Sequence, residues 1–234
     1  FSSQFCLKGT KLVHLKVNGI CSNFVKERNF SDALAYFKKL AEKGDPYAQF
    51  NLATLYRRGY GTNKDLSKAY FWFKRSANQN NLPAMTRLGY HYYYGAYVKK
   101  DYKKAYDIFK KVVQVGSDNA VIGLAANKIG MMYINGTAGL TQNYYEANKW
   151  FHISANTDYA NGQYNLGVSY SKGHGSNKVI DFVKANKFYQ LASNQGHKKA
   201  QNNLGLSLLK GRGVEKDVRR GLKWLIISSE INGY

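Results

Sequence analysis

One helix-start signal recurs along this 234-residue chain and limits its fold more than any other feature. At intervals of 36 to 42 residues stands an Asn or Asp, whose short side chain can accept a hydrogen bond from a free N–H at the start of a helix. These predicted N-cap residues are Asn29, Asp65, Asp101, Asn143, Asp181 and Asp217. Asn143 and Glu146 are also predicted to form a capping box. A unit repeated at this period predicts a solenoid, in which each unit packs on its neighbours.

The same pattern follows every predicted cap. Four residues later stands Ala, or Gly in the last unit, and seven and eight residues later stand apolar residues such as Trp72 and Phe73. These offsets mark one face of an α-helix, which we call the second helix of each unit. Fifteen residues after the cap come types that tolerate the left-handed conformation at a helix end. They are Gly44, Asn80, Gly116, Asp158, Gly196 and Asn232.

A first helix precedes five of these second helices. Its pattern is a small residue, an apolar residue four positions later, usually Tyr four after that and Gly three later, as in Ala48, Leu52, Tyr56 and Gly59. Another turn glycine follows in most units, at Gly61, Gly139, Gly175 and Gly213, whereas Tyr97 takes its place in one. Extra residues at 117–124 predict a longer first helix or loop there.

The repeat predicts an all-α fold, a right-handed α/α superhelical solenoid of helix–turn–helix units. Residues 1–15 show no clear period and are interpreted as an extended N-terminal arm. Residues 16–234 form a single solenoid in this prediction. It begins with a partial unit, 16–44, followed by full units 45–80, 81–116, 117–158, 159–196 and 197–234.

These motifs resemble those of the Sel-1-like repeat family, relatives of the tetratricopeptide repeats. One instance comprises Ala48, Gln49, Leu52, Tyr56, Gly59, Gly61, Asp65, Lys68, Ala69, Trp72 and Phe73. Another comprises Ala200, Gln201, Leu204, Gly205, Gly211, Gly213 and Asp217. The resemblance covers about residues 20–232. It implies a scaffold that assembles protein complexes or an exported bacterial interaction factor. The chain lacks the cysteine pairs that staple each unit in one subgroup of the family.

The sequence indicates no catalytic or metal-binding constellation. None of the five histidines has ligand spacing with another His, a Cys or a carboxylate. The recurring aspartates are better explained as helix caps than as acid–base residues. The Gly-x-Gly pairs do not follow a strand, so they are assigned to turns and not to a phosphate loop. We therefore expect no enzyme, no cofactor and no small-molecule substrate.

Charge points to an acidic partner. Lys and Arg total 35 against 14 Asp and Glu, a formal net charge of +21. Such a surface attracts nucleic acids, anionic lipid and acidic protein patches alike. The cations expected on the outer surface are Lys74, Arg75, Lys103, Lys104, Lys110, Lys111, Arg219, Arg220 and Lys223. No apolar run approaches the roughly 20 residues of a membrane-spanning helix.

The N-terminal region leaves two questions open. Cys6 and Cys21 are compatible with a disulfide or with two free thiols. The chain starts at Phe1, and its first 26 residues contain basic residues but no acidic one. That composition suits a mature end left by removal of a targeting peptide, in a mitochondrial or an exported bacterial protein, but it suits a trimmed chain equally.

A stripe along the first helices, opposite the core residues, is the predicted binding wall. At 100° per residue it contains Phe50, Thr54, Arg57, Arg58, Thr86, Tyr90, Tyr93, Tyr94, Asn127, Met131, Asn135, Tyr164, Val168, Lys172, Asn202, Leu206 and Lys210. Exposed Tyr and Arg are typical binding anchors. The preferred function is a non-catalytic adaptor that binds a protein partner on this concave wall and acidic partners on the basic outer surface. The alternatives are an RNA- or DNA-binding subunit of a large complex and docking to an anionic membrane.

Overall fold

The chain is an all-α repeat solenoid, as the sequence predicts. The computed structural model describes residues 29–174 and 179–229, and the regular structure in these ranges is helical. The helices are α1 (Phe30–Glu42), α2 (Pro46–Arg58), α3 (Leu66–Asn78), α4 (Leu82–Tyr94), α5 (Tyr102–Val115), α6 (Asn119–Asn135), α7 (Tyr144–Asn156), α8 (Ala160–Lys172), α9 (Phe182–Asn194), α10 (Lys198–Lys210) and α11 (Val218–Ser229). The predicted arm, Cys6, Cys21, Gly175 and Asn232 lie outside the described residues.

First and second helices alternate along the chain. The even-numbered helices are first helices and the odd-numbered ones are second helices. Four of the first helices have 13 residues each. The exception is α6, which has 17 residues and confirms the predicted lengthening after residue 117. The unit boundaries themselves remain predictions.

All six predicted N-caps are confirmed. In each, the side-chain oxygen accepts a hydrogen bond from the backbone N–H three residues later, over 2.8 to 3.3 Å. At the five caps from Asp65 onward, the backbone N–H donates to a carbonyl near the end of the preceding first helix, as Asp65 does to Tyr56 at 2.9 Å. These two bonds fix the second helix onto the first. The recurrent Asn or Asp is therefore part of the repeat's architecture.

Only one of the two hydrogen bonds of the predicted capping box at Asn143 forms. Its side chain accepts the N–H of Glu146 at 3.0 Å, but its own N–H donates to the carbonyl of Tyr133 at 3.0 Å. That donor is therefore satisfied before Glu146 could reach it. The carboxylate pairs instead with Lys149 at 2.6 Å.

Helix ends follow the prediction with one exception. The five first helices end at glycines with φ between 61° and 73°, the left-handed conformation. Second helices reach positive φ at Gly44, Asn80, Asp158 and Gly196. The expectation is wrong for Gly116, which is not among the residues with positive φ. A side chain there would come within 2.5 Å of the carbonyl oxygen of Val112, so space is the constraint at this position.

The described residues divide into two compact units, one ending at Ile108 and the other starting at Phe109. In the first, α1 packs on α2, α2 on α3 and α3 on α4 around the fully buried rings of Phe37 and Phe73. In the second, consecutive helices from α6 to α11 pack on one another around residues such as Phe151 and Leu204. The small residue four positions after each cap is buried in every unit, so the helices approach closely there.

The helices of the described ranges are too short or too polar to cross a bilayer.

Candidate partner-binding surface

Four residues of the predicted binding wall are buried, so the expectation of an open surface is wrong for them. They are Phe50, Thr54, Thr86 and Asn127. The ring of Phe50 packs on that of Phe73, with 5.5 Å between centroids. The hydroxyls of Thr54 and Thr86 donate to carbonyls of their own helices at 3.0 and 2.9 Å, and Asn127 accepts a hydrogen bond from an α8 amide. First helices are covered from several sides, and in α2 every residue from 48 to 56 is buried.

The other residues of the wall keep accessible surface. The half-buried members are Arg57, Arg58, Tyr90, Tyr93, Met131, Tyr164 and Val168. The exposed members are Tyr94, Asn135, Lys172, Asn202, Leu206 and Lys210. Most of them lie in three open grooves, each within one compact unit. Buried positions therefore interrupt the predicted stripe within the described residues.

One groove in the first unit has a volume of about 330 Å³. We call it the arginine groove, and its lining includes Arg57, Lys64, Arg87, Tyr90, His91 and Tyr94. Arg57 lies in the last turn of α2, whereas Arg87 and the aromatic residues lie on α4, the next first helix. Among the described residues that line it there is no Asp or Glu. The groove is thus an aromatic and cationic site between two first helices.

Positive charges crowd one another in the arginine groove. Burial, together with Arg87 and Arg58, lowers the pKa of Arg57 to about 10. The pKa of His91 is also lowered, chiefly by burial and further by Arg57 and Arg87. Nδ1 of His91 lies 2.7 Å from the carbonyl oxygen of Ala96. Because a carbonyl can only accept, Nδ1 carries a proton and donates it to this carbonyl.

Two tyrosines of the groove, Tyr90 and Tyr94, belong to a packed patch of tyrosines. The rings of Tyr90 and Tyr94 are parallel within 1°, with centroids 5.7 Å apart. Tyr93 meets Tyr94 edge to face at 4.9 Å and Tyr102 at 5.3 Å, and its burial raises its phenol pKa. Tyr94 nevertheless remains 57% exposed. Such mutually packed rings offer contact area at a small cost in conformational entropy.

Two smaller grooves lie in the second unit. One, of about 300 Å³, is lined by residues that include Met131, Val168 and Lys172. At its edge the rings of Tyr144 and His174 stack with centroids 4.1 Å apart. The other, of about 190 Å³, includes Leu206, Tyr189, Lys210 and Arg212 in its lining. Each combines apolar and basic side chains, as the arginine groove does.

The predicted outer cations are all exposed. The guanidinium of Arg75 lies over the rings of Phe71 and Trp72, 5.6 and 5.5 Å from their centroids. Other cations pair with helix caps: Lys104 contacts Asp101 at 3.2 Å and Arg220 contacts Asp217 at 3.8 Å. Exposed pairs of this kind add little stability. Each one places the negative charge of a carboxylate next to a cation three residues away, and not near more distant cations.

Aspartates at the caps are held in their ionised form. Hydrogen bonds from the backbone N–H three residues later lower the pKa of Asp65, Asp101 and Asp181. Over residues 29–174 and 179–229, no three His, Cys, Asp or Glu side chains are grouped to hold a metal ion. The carboxylates of Asp65, Asp101 and Asp181 instead cap the starts of helices.

Sequence reasoning missed Arg87, Lys64 and His91 as groove residues. The predicted register assigned the accessible row of α4 to Thr86 and Tyr90, and Arg87 lies one residue, or 100°, away from Thr86. The useful signal was the short segment from Arg57 to Lys64, which contains three basic residues and no acidic one. It marks the end of α2 as positively charged.

Comparison with known proteins agrees with the helical repeat described above. The model of the Sel1 repeat family matches residues 18–45, 46–81, 82–111, 123–157, 160–197 and 198–232. Among curated proteins, the chain is 40% identical over 52 residues to HRD3B of Arabidopsis thaliana, an ERAD-associated E3 ubiquitin-protein ligase component. That match covers 22% of this chain and 9% of the Arabidopsis protein.

Solved structures show the same fold. The c5321 antigen of uropathogenic Escherichia coli, which displays an SLR fold, is 33% identical with a TM-score of 0.73, over 84% of this chain and 40% of that one. A Sel1 repeat protein from Oxalobacter formigenes is 26% identical with a TM-score of 0.78, over 88% of this chain and 81% of that one. The chain thus spans about a tenth of the Arabidopsis protein and two fifths of c5321.

Proposed function

Because this chain belongs to the Sel1 repeat family, whose members generally mediate protein–protein interactions, we propose that it is a non-catalytic adaptor. Its partner binds in the grooves along the first helices, and acidic partners also contact the exposed outer cations. The observation that carries this proposal is the arginine groove with its packed tyrosines. Tyr and Arg in a concave site are the residue types that supply most binding energy at protein interfaces.

The arrangement of polar groups supports a non-catalytic role. Catalysis needs an acid, base or nucleophile aimed at a common point. The cap aspartates Asp65, Asp101 and Asp181 instead accept backbone N–H groups at the starts of helices. His91 donates to a carbonyl, and His152 meets the hydroxyl of Tyr170 at 3.2 Å. Their hydrogen bonds serve the fold.

Affinity capture from the native source tests the proposal. We expect the protein to retain a defined set of proteins, and Tyr94→Ala with Tyr90→Ala to lose a subset of them. Tyr145→Ala is the matched control, because Tyr145 is an exposed tyrosine on second helix α7. Retention of the same partners by the double variant and the wild type would refute the assignment to the first-helix grooves. A variant that fails to melt like the wild type would be replaced by Tyr94→Ala alone.

Nucleic-acid binding is the second candidate function, and the net charge of +21 favours it. A phosphate-based complex loses affinity steeply as salt rises, with a slope set by the number of phosphates contacted. Binding of a labelled single-stranded oligonucleotide over a range of salt concentrations tests this candidate. Affinity that barely depends on salt would exclude it. Flotation with vesicles that contain or lack acidic lipid tests membrane docking by the same outer cations.

A further inference from the structure

The tyrosine that recurs near the end of the first helices has a repeated cationic partner. In three units its ring lies under the lysine three residues after the next cap, with 5.4 to 5.5 Å between the ammonium and the ring centroid. These pairs are Tyr56 with Lys68, Tyr92 with Lys104 and Tyr170 with Lys184. The same lysines contact the cap aspartates at 3.1 to 3.2 Å. An aromatic ring under a cation is therefore a recurring part of the repeat.

The ring also contacts the neighbouring second helices. The hydroxyl of Tyr170 lies 3.2 Å from Nε2 of His152 on α7, and its ring stacks on Phe188 of α9 with 5.7 Å between centroids. In the first compact unit, the hydroxyl of Tyr92 meets that of Tyr70 on α3 at 3.1 Å. The tyrosine ring thus joins its own first helix to second helices of the solenoid.

The last unit departs from this pattern, because Leu208 stands at the tyrosine position. Arg220 takes the position of the lysine, and its Nε lies 3.8 Å from the carboxylate of Asp217, farther than the lysines lie from their caps. A leucine side chain offers no ring to this guanidinium. The cation is therefore kept at its place in the repeat while its aromatic partner is missing.

An open groove of about 760 Å³ lies at this place, between the second helices α9 and α11. We call it the leucine groove. Its lining includes Leu208 and Arg220, and also Asn186 and Gln190 of α9. These last two residues occupy the second-helix positions that contact the tyrosine hydroxyl in earlier units. The side chains that would surround the missing ring thus line the groove.

We propose that the leucine groove binds an aromatic side chain of a partner protein, which supplies the ring that Leu208 lacks. The positive guanidinium of Arg220 complements the negative face of such a ring, and Leu208 and Val214 provide apolar contacts. The occupant follows from the repeat itself, since earlier units cover the equivalent place with a tyrosine of their own. This inference rests on the proposed adaptor function and adds a contact outside the first-helix grooves.

The lining favours a protein side chain over a nucleic-acid base. Leu204 and Leu208 belong to the apolar core of the second unit and form the floor of the groove, and Val183 and Val218 line it with 68% and 50% of their surface exposed. The polar edges of a base would lose hydrogen bonds to water against such side chains. The lining also includes the carboxyl-bearing residue Glu215, whose charge repels the phosphate attached to a base.

Nuclear magnetic resonance of the methyl-labelled protein tests the inference. The probe is the tripeptide Gly-Tyr-Gly with both termini blocked, and the matched probe without a ring is blocked Gly-Leu-Gly. We expect Gly-Tyr-Gly to shift the methyl signals of Leu208, Val214 and Val218 in a saturable way, because a bound ring changes the local magnetic field. The leucine probe should cause much smaller shifts. The methyl signals of Leu191, an exposed residue of α9 outside the lining, should stay unchanged with both probes.

Two variants test the residues that the inference names. Leu208→Tyr supplies the ring from the chain itself, so it should abolish the shifts of Val214 and Val218 without lowering the melting temperature. Leu191→Tyr adds a tyrosine outside the groove and should leave the shifts as in the wild type. Arg220→Gln removes the cation and should weaken probe binding about two- to fivefold. Lys199→Gln removes an exposed cation outside the lining and is its control.

Several results would overturn the inference. They are equal shifts with the two tripeptides, unchanged shifts in Leu208→Tyr, and larger groove shifts with adenosine monophosphate than with Gly-Tyr-Gly. Self-association of the wild type that Leu208→Tyr abolishes would make a second copy the occupant. Movement of the groove methyl signals in Tyr234→Ala without any probe would make this chain's own ring the occupant. If Leu208→Tyr does not melt like the wild type, the comparison of the two tripeptides on the wild type decides alone.

This experiment separates the inference from the proposed function. Loss of captured partners in the variant with Tyr90→Ala and Tyr94→Ala, with no shifts caused by Gly-Tyr-Gly, would leave the adaptor function standing and remove the leucine groove as a site. Unchanged capture by that double variant, with the expected tripeptide result, would remove the first-helix assignment and keep the leucine groove.

Discussion

The turn glycine Gly213 offers a sharp test of how neighbouring repeats are joined. It has φ +66°, and a Cβ placed there would lie 2.6 Å from Cβ and 2.7 Å from the carbonyl oxygen of Phe182, the first residue of α9. Gly139 takes the same place in the sequence pattern and has φ +76°, but nothing lies within 4 Å of its Cβ position. Substitution by alanine therefore separates backbone strain from steric overlap.

The expected magnitudes differ accordingly. The left-handed conformation raises the free energy of the folded state by about 1–2 kcal/mol when the residue is not glycine. Alanine also reduces the conformational entropy of the unfolded chain, which offsets roughly 0.4–1 kcal/mol of that cost. We therefore expect Gly139→Ala to lower the free energy of unfolding by about 1 kcal/mol. For Gly213→Ala the overlap with the backbone of Phe182 adds roughly 1–3 kcal/mol. The total is about 3 kcal/mol.

Thermal melting followed by circular dichroism measures the difference. For a chain of this size, each kcal/mol lowers the midpoint by about 2–4 °C, so we expect a loss of roughly 6–12 °C for Gly213→Ala and 2–4 °C for Gly139→Ala. Because repeat proteins can unfold in parts, hydrogen exchange in α9 and α11 should rise selectively in the first variant. Equal losses for the two variants would refute the steric argument.

Three further predictions concern stability. Phe73→Ala, which removes a fully buried ring, should cost about 3–5 kcal/mol, whereas Phe71→Ala on the same helix removes a half-exposed ring and should cost much less; similar urea midpoints would contradict this. Asp181→Ala should cost about 1 kcal/mol, because it removes the acceptor at the start of α9; an unchanged urea midpoint would argue against the cap. Lowering the pH from 7 to 5.5 should lower the melting temperature. Burial lowers the pKa of His91 and His152 in the folded state, so below about pH 6.5 the unfolded chain binds more protons than the folded one. A melting temperature that rises over this interval would refute the prediction.

The repeat could be predicted from sequence because its signals are local. A cap such as Asp65 acts on an N–H three residues away, and a glycine such as Gly59 ends its own helix. Short-range rules of this kind do not depend on tertiary packing. The family resemblance and the all-α solenoid followed from their recurrence.

The binding wall could be predicted only in part, because burial depends on neighbouring helices. Helical periodicity places Phe50 opposite the core residues of α2, yet its ring meets Phe73 of α3. The arginine groove also depends on tertiary structure, because the packing of successive units, and not sequence spacing, brings Arg57 and Arg87 together. Gly213 and Gly139 make the same point for turns: one pattern, two different surroundings.

The use of acidic residues at helix starts links the fold to the charge of the molecule. The chain has 14 Asp and Glu, and the repeat places several of them at caps, where they bind backbone N–H groups. There they also pair with a cation three residues later, as Asp181 does with Lys184 at 3.2 Å. Carboxylates held in this way contribute less to balancing cations elsewhere on the surface. This use of the acidic side chains supports the proposal that acidic partners contact the exposed outer cations.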